Sequence, residues 1–363
     1  MGTSSASLLL GTHKGLLILE RNGRAWQVAK HAFPGVGVSY AFKDARTGTL
    51  WVGLDTDHWG SKLQRSLDGG ATWHEVALPK YPEGAQLANG QPAALSYVWL
   101  VAPGGLDQPQ RLYLGTEPGG LFVSDDGGQS FDLVQGLWNH PSRMTDWFGG
   151  GRSQPGIHSL LIDPHDSNHL WAGISVAGVF ESRDGGQSWV PRNSGLVAEW
   201  LPDPAAEVGH DPHLLAASPA NPLVLMQQNH SGIYRSEDGG LSWRPVMEEK
   251  GPANFGFPIV MDESDPDTAW VFPAVSDEQR IAINGALCVC RTRDGGRSWQ
   301  ALRKGLPQHN CYDYALRHAA DRHGSTLAFG TTSGNLFLSE DYGENWECLG
   351  MSFPMFYSVR FAP

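Results

Sequence analysis

Ser182-Arg-Asp-Gly-Gly-Gln-Ser-Trp189 recurs, with small edits, at five other places: Ser66-Leu-Asp-Gly-Gly-Ala-Thr-Trp73, Ser124-Asp-Asp-Gly-Gly-Gln-Ser-Phe131, Ser236-Glu-Asp-Gly-Gly-Leu-Ser-Trp243, Thr292-Arg-Asp-Gly-Gly-Arg-Ser-Trp299 and Ser339-Glu-Asp-Tyr-Gly-Glu-Asn-Trp346. Each part of the octet suits a tight corner between two strands. The glycines supply positive φ, the hydroxyl and carboxylate oxygens accept hydrogen bonds from loop amides, and the closing aromatic starts the next strand pointing into the core. The octet aspartates, Asp68, Asp126, Asp184, Asp238, Asp294 and Asp341, stand 47 to 58 residues apart. That period is too long for a hairpin ladder and suits a four-stranded propeller blade.

A seventh unit precedes the first octet. Leu8-Leu-Leu-Gly-Thr12 reads as one strand, Gly15-Leu-Leu-Ile-Leu-Glu20 as a second, and Trp26 opens a third; Arg21 stands where the aspartate would be, while Gly23 and Trp26 keep register. This unit lacks an innermost strand. The alternating C-terminal stretch Phe356-Tyr-Ser-Val-Arg-Phe-Ala362 can supply it. The expected architecture is therefore all-β: one domain over residues 1–363, a seven-bladed β-propeller of four-stranded antiparallel blades, its ring closed by the C-terminal strand joining the N-terminal blade. The inner strands of blades two to seven are expected to start near Tyr40, Tyr97, His158, His213, Phe257 and Tyr314, with blade six carrying an insertion, Ser276 to Asn284, ahead of Ala286-Leu-Cys-Val-Cys290.

The octets resemble the Asp-box (BNR) repeats of sialidase-type propellers. That resemblance implies a propeller fold in which the boxes are structural and lie on the face opposite the active site. Gly11-Thr-His-Lys-Gly15, Gly136-Leu-Trp-Asn-His-Pro141, Gly173-Ile-Ser-Val-Ala-Gly178, Gln227-Gln-Asn-His-Ser-Gly-Ile-Tyr-Arg235 and Phe255-Gly-Phe-Pro258 further resemble a bacterial family of single-domain BNR-repeat, glycosyl-hydrolase-like propellers, which implies a site location more than a reaction. Sialidase activity needs an arginine triad at inner-strand starts, and the corresponding positions here are tyrosine, histidine and phenylalanine; an Arg-Ile-Pro motif is absent too. The xyloglucanases that share such boxes resemble this chain only in the repeats and are two propellers long, with a cleft between them. Photosystem II assembly factors are single propellers of similar size that bind proteins.

Composition narrows the partners. A formal net charge of −12 with no Lys/Arg cluster argues against a nucleic-acid backbone or an anionic membrane. The start, Met1-Gly-Thr-Ser-Ser-Ala-Ser-Leu-Leu-Leu10, has no basic segment and too short an apolar run for a leader or a span, so a cytoplasmic location is expected. Four cysteines are too few for a disulfide scaffold of this length. They are read as reduced thiols, with a metal-binding Cys288–Cys290 pair as the alternative.

A meander puts the octets on one face of the ring. The opposite face gathers the loops after the second strand of each blade and the connections between blades. Those around blades four and five are longer than strand closure needs, and such loops are usually functional. The residues expected to do chemistry there are His158, His213 and His230, converging from strand ends and a loop, with Glu117 as a carboxylate at the channel mouth. Ligand contacts are expected from His210, Asn229, Gln228, Arg152, Trp147, Lys14 and Trp59. Three imidazoles can bind one divalent metal such as Zn²⁺; the competing readings are metal-free acid/base histidines or hydrogen-bonded channel histidines. Gly149-Gly-Gly-Arg152 lacks the Lys-Ser/Thr and helix of a phosphate loop and reads as backbone passing close to a ligand or another loop. Two functions stay open: a hydrolase or lyase acting on a sugar-like or other small polar substrate, and a non-catalytic protein-binding or assembly-factor propeller.

Overall fold

In the computed structural model, which describes residues 7–23 and 25–363, the strands of those residues pair into seven four-stranded antiparallel sheets, the blades of a β-propeller. Met1 to Ala6, part of the stretch read above for a leader, and Arg24 lie outside the described residues. Among the described residues no helix is long and apolar enough to cross a membrane. The first blade takes its innermost strand from Phe356–Ala362, which pairs with Ser7–Thr12, followed by Gly15–Asn22 and Ala25–Ala32. The two chain ends thus share one sheet, and the ring has no open edge there.

The octets repeat one hydrogen-bond set. Ser182 Oγ donates to Asp184 Oδ1 at 2.8 Å and accepts the Gly186 N–H at 2.8 Å, while Asp184 accepts Ser188 N–H at 2.9 Å and Ser188 Oγ–H at 2.6 Å. The same pattern recurs at Asp68, Asp126, Asp238, Asp294 and Asp341, with Thr72 and Asn345 replacing the serine donor in two copies. In the sixth copy Tyr342 takes the first glycine's left-handed conformation, at φ 59°. Its ring lies parallel to that of Trp270 in blade six.

The octet also joins blades. The second glycine of the blade-three copy, Gly128, has φ +78°, and a Cβ built on it would lie 2.3 Å from Trp51 Cη2 in blade two. Trp171 and Trp270, from second strands, each donate their indole N–H to an octet carbonyl of the next blade: Gly239 O at 2.7 Å and Tyr342 O at 3.0 Å. The octet tryptophans Trp243 and Trp299 bond backward, to Arg192 O and Val246 O. Buried aromatic surface of this kind carries most of the packing between blades.

Inner strands depart from regular pairing at one recurrent place. Each of the first six skips a register near its start, at Tyr357, Ser39, Trp99, His158, His213 and the Phe257–Pro258 pair. A bulge leaves its extra residue unpaired and re-aims that side chain. Blade seven differs from expectation. Its inner strand is Ala320–His323, and Tyr314 to Arg317 form an extended connection instead. The cause is at the axis, where His318 Nε2 bonds to His158 O at 2.8 Å and His318 O accepts the Val359 N–H. Those contacts hold the connection against the channel before the ladder begins. In blade six the third strand is Val289–Thr292, so the insertion reaches as far as Cys288. Cys288, Cys290, Cys311 and Cys348 are free thiols.

Two outcomes follow from this packing. Gly128→Ala should cost about 2–4 kcal/mol, because it adds positive-φ strain to overlap with a buried indole, whereas Gly23→Ala, at φ +64° with nothing within 4 Å, should cost about 1 kcal/mol. Urea midpoints of the two variants check this, and equal losses would remove the packing argument. The octet aspartates give the second. In Asp294 burial raises the carboxyl, but the Ser298 hydroxyl and amide outweigh it and hold it at about 2, against an ordinary 3.8; the other five are also lowered. A carboxylate depressed on folding adds stability above its unfolded value and loses it as pH falls toward the folded one. Stability should therefore fall from about pH 4 down to about pH 2, and by less in an Asp294→Ala variant, as read from urea midpoints at pH 6, 4 and 2.5.

Candidate functional site

A cavity of about 440 Å³ opens on the face away from the octets, between blades four and seven. Its wall comes from the elements that face was expected to gather. Gly149, Gly150 and Gly151 lie on the connection into blade four, Val176 in the loop after its second strand, and Trp200 and Asp211 on the connection into blade five. His213 sits on the inner strand of blade five and His230 in the loop after its second strand. Phe257 comes from blade six, Asp277 and Arg280 from its insertion, and Arg317 from the connection into blade seven.

Asp211 is the hub. Its Oδ1 accepts the Val176 N–H at 3.2 Å, and its Oδ2 faces His213 Nε2 at 3.7 Å and His230 Nδ1 at 3.8 Å. Val176 donates from a left-handed backbone, φ 49°, which a β-branched residue rarely adopts. The His230 N–H bonds to Asp211 O at 2.9 Å. His213 is held from behind: Nδ1 lies 2.6 Å from Gly256 O, and the ring stacks on Phe257 with centroids 4.6 Å apart. Trp200 meets His230 edge to face at 4.8 Å, and 42 % of its surface stays exposed at the rim. One donor atom each from Asp211, His213 and His230 lies within 4.8 Å of the others, so these three can hold a metal ion.

Cations complete the wall. Arg280 pairs with Asp277 and lies over Phe257. Arg317 lies over Trp99 at 4.9 Å, and its Nη1 is buried with no hydrogen-bond partner among the described residues. Burial raises the Asp211 carboxyl, but His213, Arg317 and the Val176 amide outweigh it and leave it below the ordinary value. The His230 imidazole is depressed by burial and by His213, against the pull of Asp211 and Asp277.

The other expected residues lie elsewhere. His158 is buried one blade away, with Nδ1 on Ser159 Oγ at 3.0 Å; it lines a second cavity of about 290 Å³ along the channel, beside Tyr40, His318, Asp321 and Arg360. It does not share the Asp211 cluster: although it stands at the same bulge position as His213, its side chain lines the channel cavity with Leu100, Leu160, Leu214 and Ile259; burial first, then Arg317 and His318, push it well below the usual imidazole range. Glu117 is buried in an ion pair with Arg152, whose guanidinium lies 4.1 Å from the Tyr97 ring centroid; burial raises its carboxyl against that partner. His210 bonds to Ala206 O, Gln228 spends its amide on the Asn254, Gly232 and Asn229 carbonyls, and Asn229 bonds Gln227 and the Ser231 N–H. Trp147 bonds Ser142 and packs on Phe180, Lys14 is exposed, and Trp59 is 86 % exposed on a short 3-10 turn. None of these seven ligand-contact candidates, nor Glu117, lines the Asp211 cavity.

Asp211, Asp277, Arg280 and Arg317 are the chemistry-bearing residues that sequence reasoning passed over. A signal existed for one of them, since Asp211-Pro-His213 places a carboxylate two residues before an imidazole, the spacing of one strand face. Arg317 was hidden in an apparent strand. Gly150, read as backbone passing close to a ligand or another loop, runs beside Val176, whose Cγ2 would be 2.8 Å from a Cβ built there.

No protein-family model matches the chain. In sequence it is similar to a probable oligoxyloglucan-reducing end-specific xyloglucanase of Neosartorya fischeri, 25% identical over 291 residues, 76% of this chain and 32% of that protein. It is also similar to the oligoxyloglucan-reducing end-specific xyloglucanase of Emericella nidulans, 29% identical over 206 residues, 52% of this chain and 21% of that one. The similarity therefore extends well beyond the octets, and the chain spans about a third or less of the length of these relatives. Among solved structures it superposes on an ancestral GH74 enzyme with TM-score 0.54 and 16% identity, covering 99% of this chain and 40% of that one. YCF48 bound to D1 peptide gives TM-score 0.54 and 16% identity, covering 96% and 85%. At these identities the structural likeness shows the propeller fold, and the sequence relatives are xyloglucan-cleaving enzymes.

Proposed function

We propose that the chain is a sugar-acting hydrolase whose substrate enters the Asp211 cavity. The observation that supports this most is the composition of one wall: an ionised carboxylate hub with two imidazoles, a second carboxylate at Asp277, and the exposed Trp200 ring at the rim. Saccharides are held by such a mixture of an aromatic surface and a few convergent polar groups. Hydrolysis adds water across the glycosidic C–O bond, its hydroxyl going to the anomeric carbon and a proton to the leaving oxygen. The Asp211–His213–His230 wall positions the water, and Asp277 with Arg280 faces the leaving side. The xyloglucanase relatives favour a glycan as the substrate. As part of the same proposal, the acidic surface leaves nucleic acid and anionic membranes without a binding face, and the protein works in the cytoplasm.

The test uses xyloglucan oligosaccharides and a panel of aryl glycosides. Asp211→Asn should lower kcat/KM about 100-fold or more, and Trp200→Ala should raise KM about tenfold, or about 1.4 kcal/mol, with melting temperatures close to the parent's. A folded parent that neither binds nor cleaves any member of the panel, or an Asp211→Asn variant of full activity, overturns the proposal.

A further inference from the structure

A carbonyl oxygen can only accept, so the contact of His213 Nδ1 with Gly256 O at 2.6 Å places the ring's proton on Nδ1. In the neutral imidazole, Nε2 then carries a lone pair, and that lone pair faces Asp211 Oδ2 at 3.7 Å. His230 Nδ1 faces the same oxygen at 3.8 Å. Neither separation is a hydrogen bond. Asp211 Oδ2, His213 Nε2 and, with its proton on Nε2, His230 Nδ1 are thus three acceptor atoms turned toward one gap, held there by the Val176 N–H on Asp211, the Gly256 carbonyl on His213, and the backbone bond from His230 N–H to Asp211 O. Lone pairs collected in this way repel one another unless something positive lies between them.

We infer that Asp211 Oδ2, His213 Nε2 and His230 Nδ1 form a binding site for one divalent transition-metal ion, with its remaining positions open to the cavity. Two imidazoles and a carboxylate suit Zn²⁺, Mn²⁺ or Fe²⁺. A tetrahedral ion with bonds of about 2.1 Å needs donors about 3.4 Å apart, so the two Asp211 separations are already close to that value. The widest pair, within 4.8 Å, closes by a small turn of His230, which sits half-exposed in a loop. The Nδ1–H to backbone carbonyl contact of His213 is the outer-shell support that orients metal-ligating imidazoles.

A second observation concerns what the ion's open positions would meet. Arg317 Nη1 is buried without a partner among the described residues and lines the same cavity. A buried guanidinium with unspent donors is matched by a ligand oxygen, and an anionic oxygen bridging the ion and Arg317 satisfies both. Arg280 is already committed to Asp277, whereas Arg317 makes no ion pair among the described residues. The expected ligand class is therefore an oxygen-rich molecule with a carboxylate or an ionisable hydroxyl, such as an acidic sugar. The role of the ion rests on the cavity being the substrate site; its binding does not.

The experiment takes the full chain, strips it with EDTA, and titrates it with Zn²⁺ and separately Mn²⁺ by calorimetry, with bound metal counted by elemental analysis. One ion per chain is expected, with affinity falling about 100-fold in Asp211→Asn and in His230→Ala and largely retained in His230→Asp, which keeps a ligand. His158→Ala should bind as the parent does. Melting curves identify any variant that fails to fold, and His230→Ala, at a half-exposed loop position, is the one expected to fold normally. A stoichiometry below about 0.1, or binding that Asp211→Asn and His230→Ala leave unchanged, overturns the inference. Calorimetry with the sugar panel separates the two proposals: sugar binding without metal removes only the ion, and metal binding without any sugar removes only the hydrolase reading.

Discussion

Everything in this molecule depends on a close approach between neighbouring blades that a side chain on one residue would prevent. At Gly128 a single Cβ would overlap the Trp51 indole, and at Gly296 and Gly343 it would meet Val246 and Leu302 of the preceding blade. The octet is tight because its serine and aspartate oxygens satisfy the loop amides internally. A corner that satisfies itself can be pressed into the flank of the next sheet without stranding polar groups. The tryptophans then fill the seam and tie it with indole hydrogen bonds that cross from blade to blade. Ring closure by Phe356–Ala362 makes each seam dependent on the others, since opening one would expose two sheet edges.

With one face committed to these corners, the Asp211 cavity opens on the other. Its loops carry no repeat, and they differ in length from blade to blade. The cavity lies where the longest of them meet, so it is off the axis and borrows from four blades. The channel beneath has a different character. It is walled by inner-strand aliphatics and lined by His158, His318 and Arg360; the His318 ring bonds to the His158 carbonyl, and Arg360 donates to the His318 and Ala320 carbonyls. Histidines occur at both levels: His158 and His213 are equally buried, and what separates them is their neighbours, aliphatic side chains around the first and Asp211 with His230 beside the second.

The electrostatics of the site is a near balance. Asp211 and Asp277 oppose Arg280 and Arg317, and only the second pair of that set, Asp277 with Arg280, is directly joined. Asp211 stays ionised through the Val176 amide and the surrounding cations, although it is buried. That arrangement leaves a carboxylate with an unspent oxygen and an arginine with an unspent nitrogen in one cavity. A polar, oxygen-bearing ligand can satisfy both at once, and an apolar one cannot.

The repeat alone determined the fold. Six octets at near-even spacing, a degenerate seventh and an unpaired terminal strand specify the number of blades, their order and the closure, because each of these is a local signal in turn residues and period-2 strands. The face carrying the Asp211 cavity was legible too, since a meander leaves no choice about which loops share a side. His213 and His230 could be placed there from sequence. His158 could not be told apart from them, because the bulge at each inner-strand start re-aims one side chain and breaks the alternation on which the reading relied. Arg317 looked like a strand residue until the axial contacts of His318 fixed the strand three residues later, and Asp211 became a hub only when Val176, one blade earlier in the ring, supplied its amide. Turn chemistry acts over a few residues and can be read in order; the meeting of four blades at one carboxylate depends on how the seams pack, and that exists only in three dimensions.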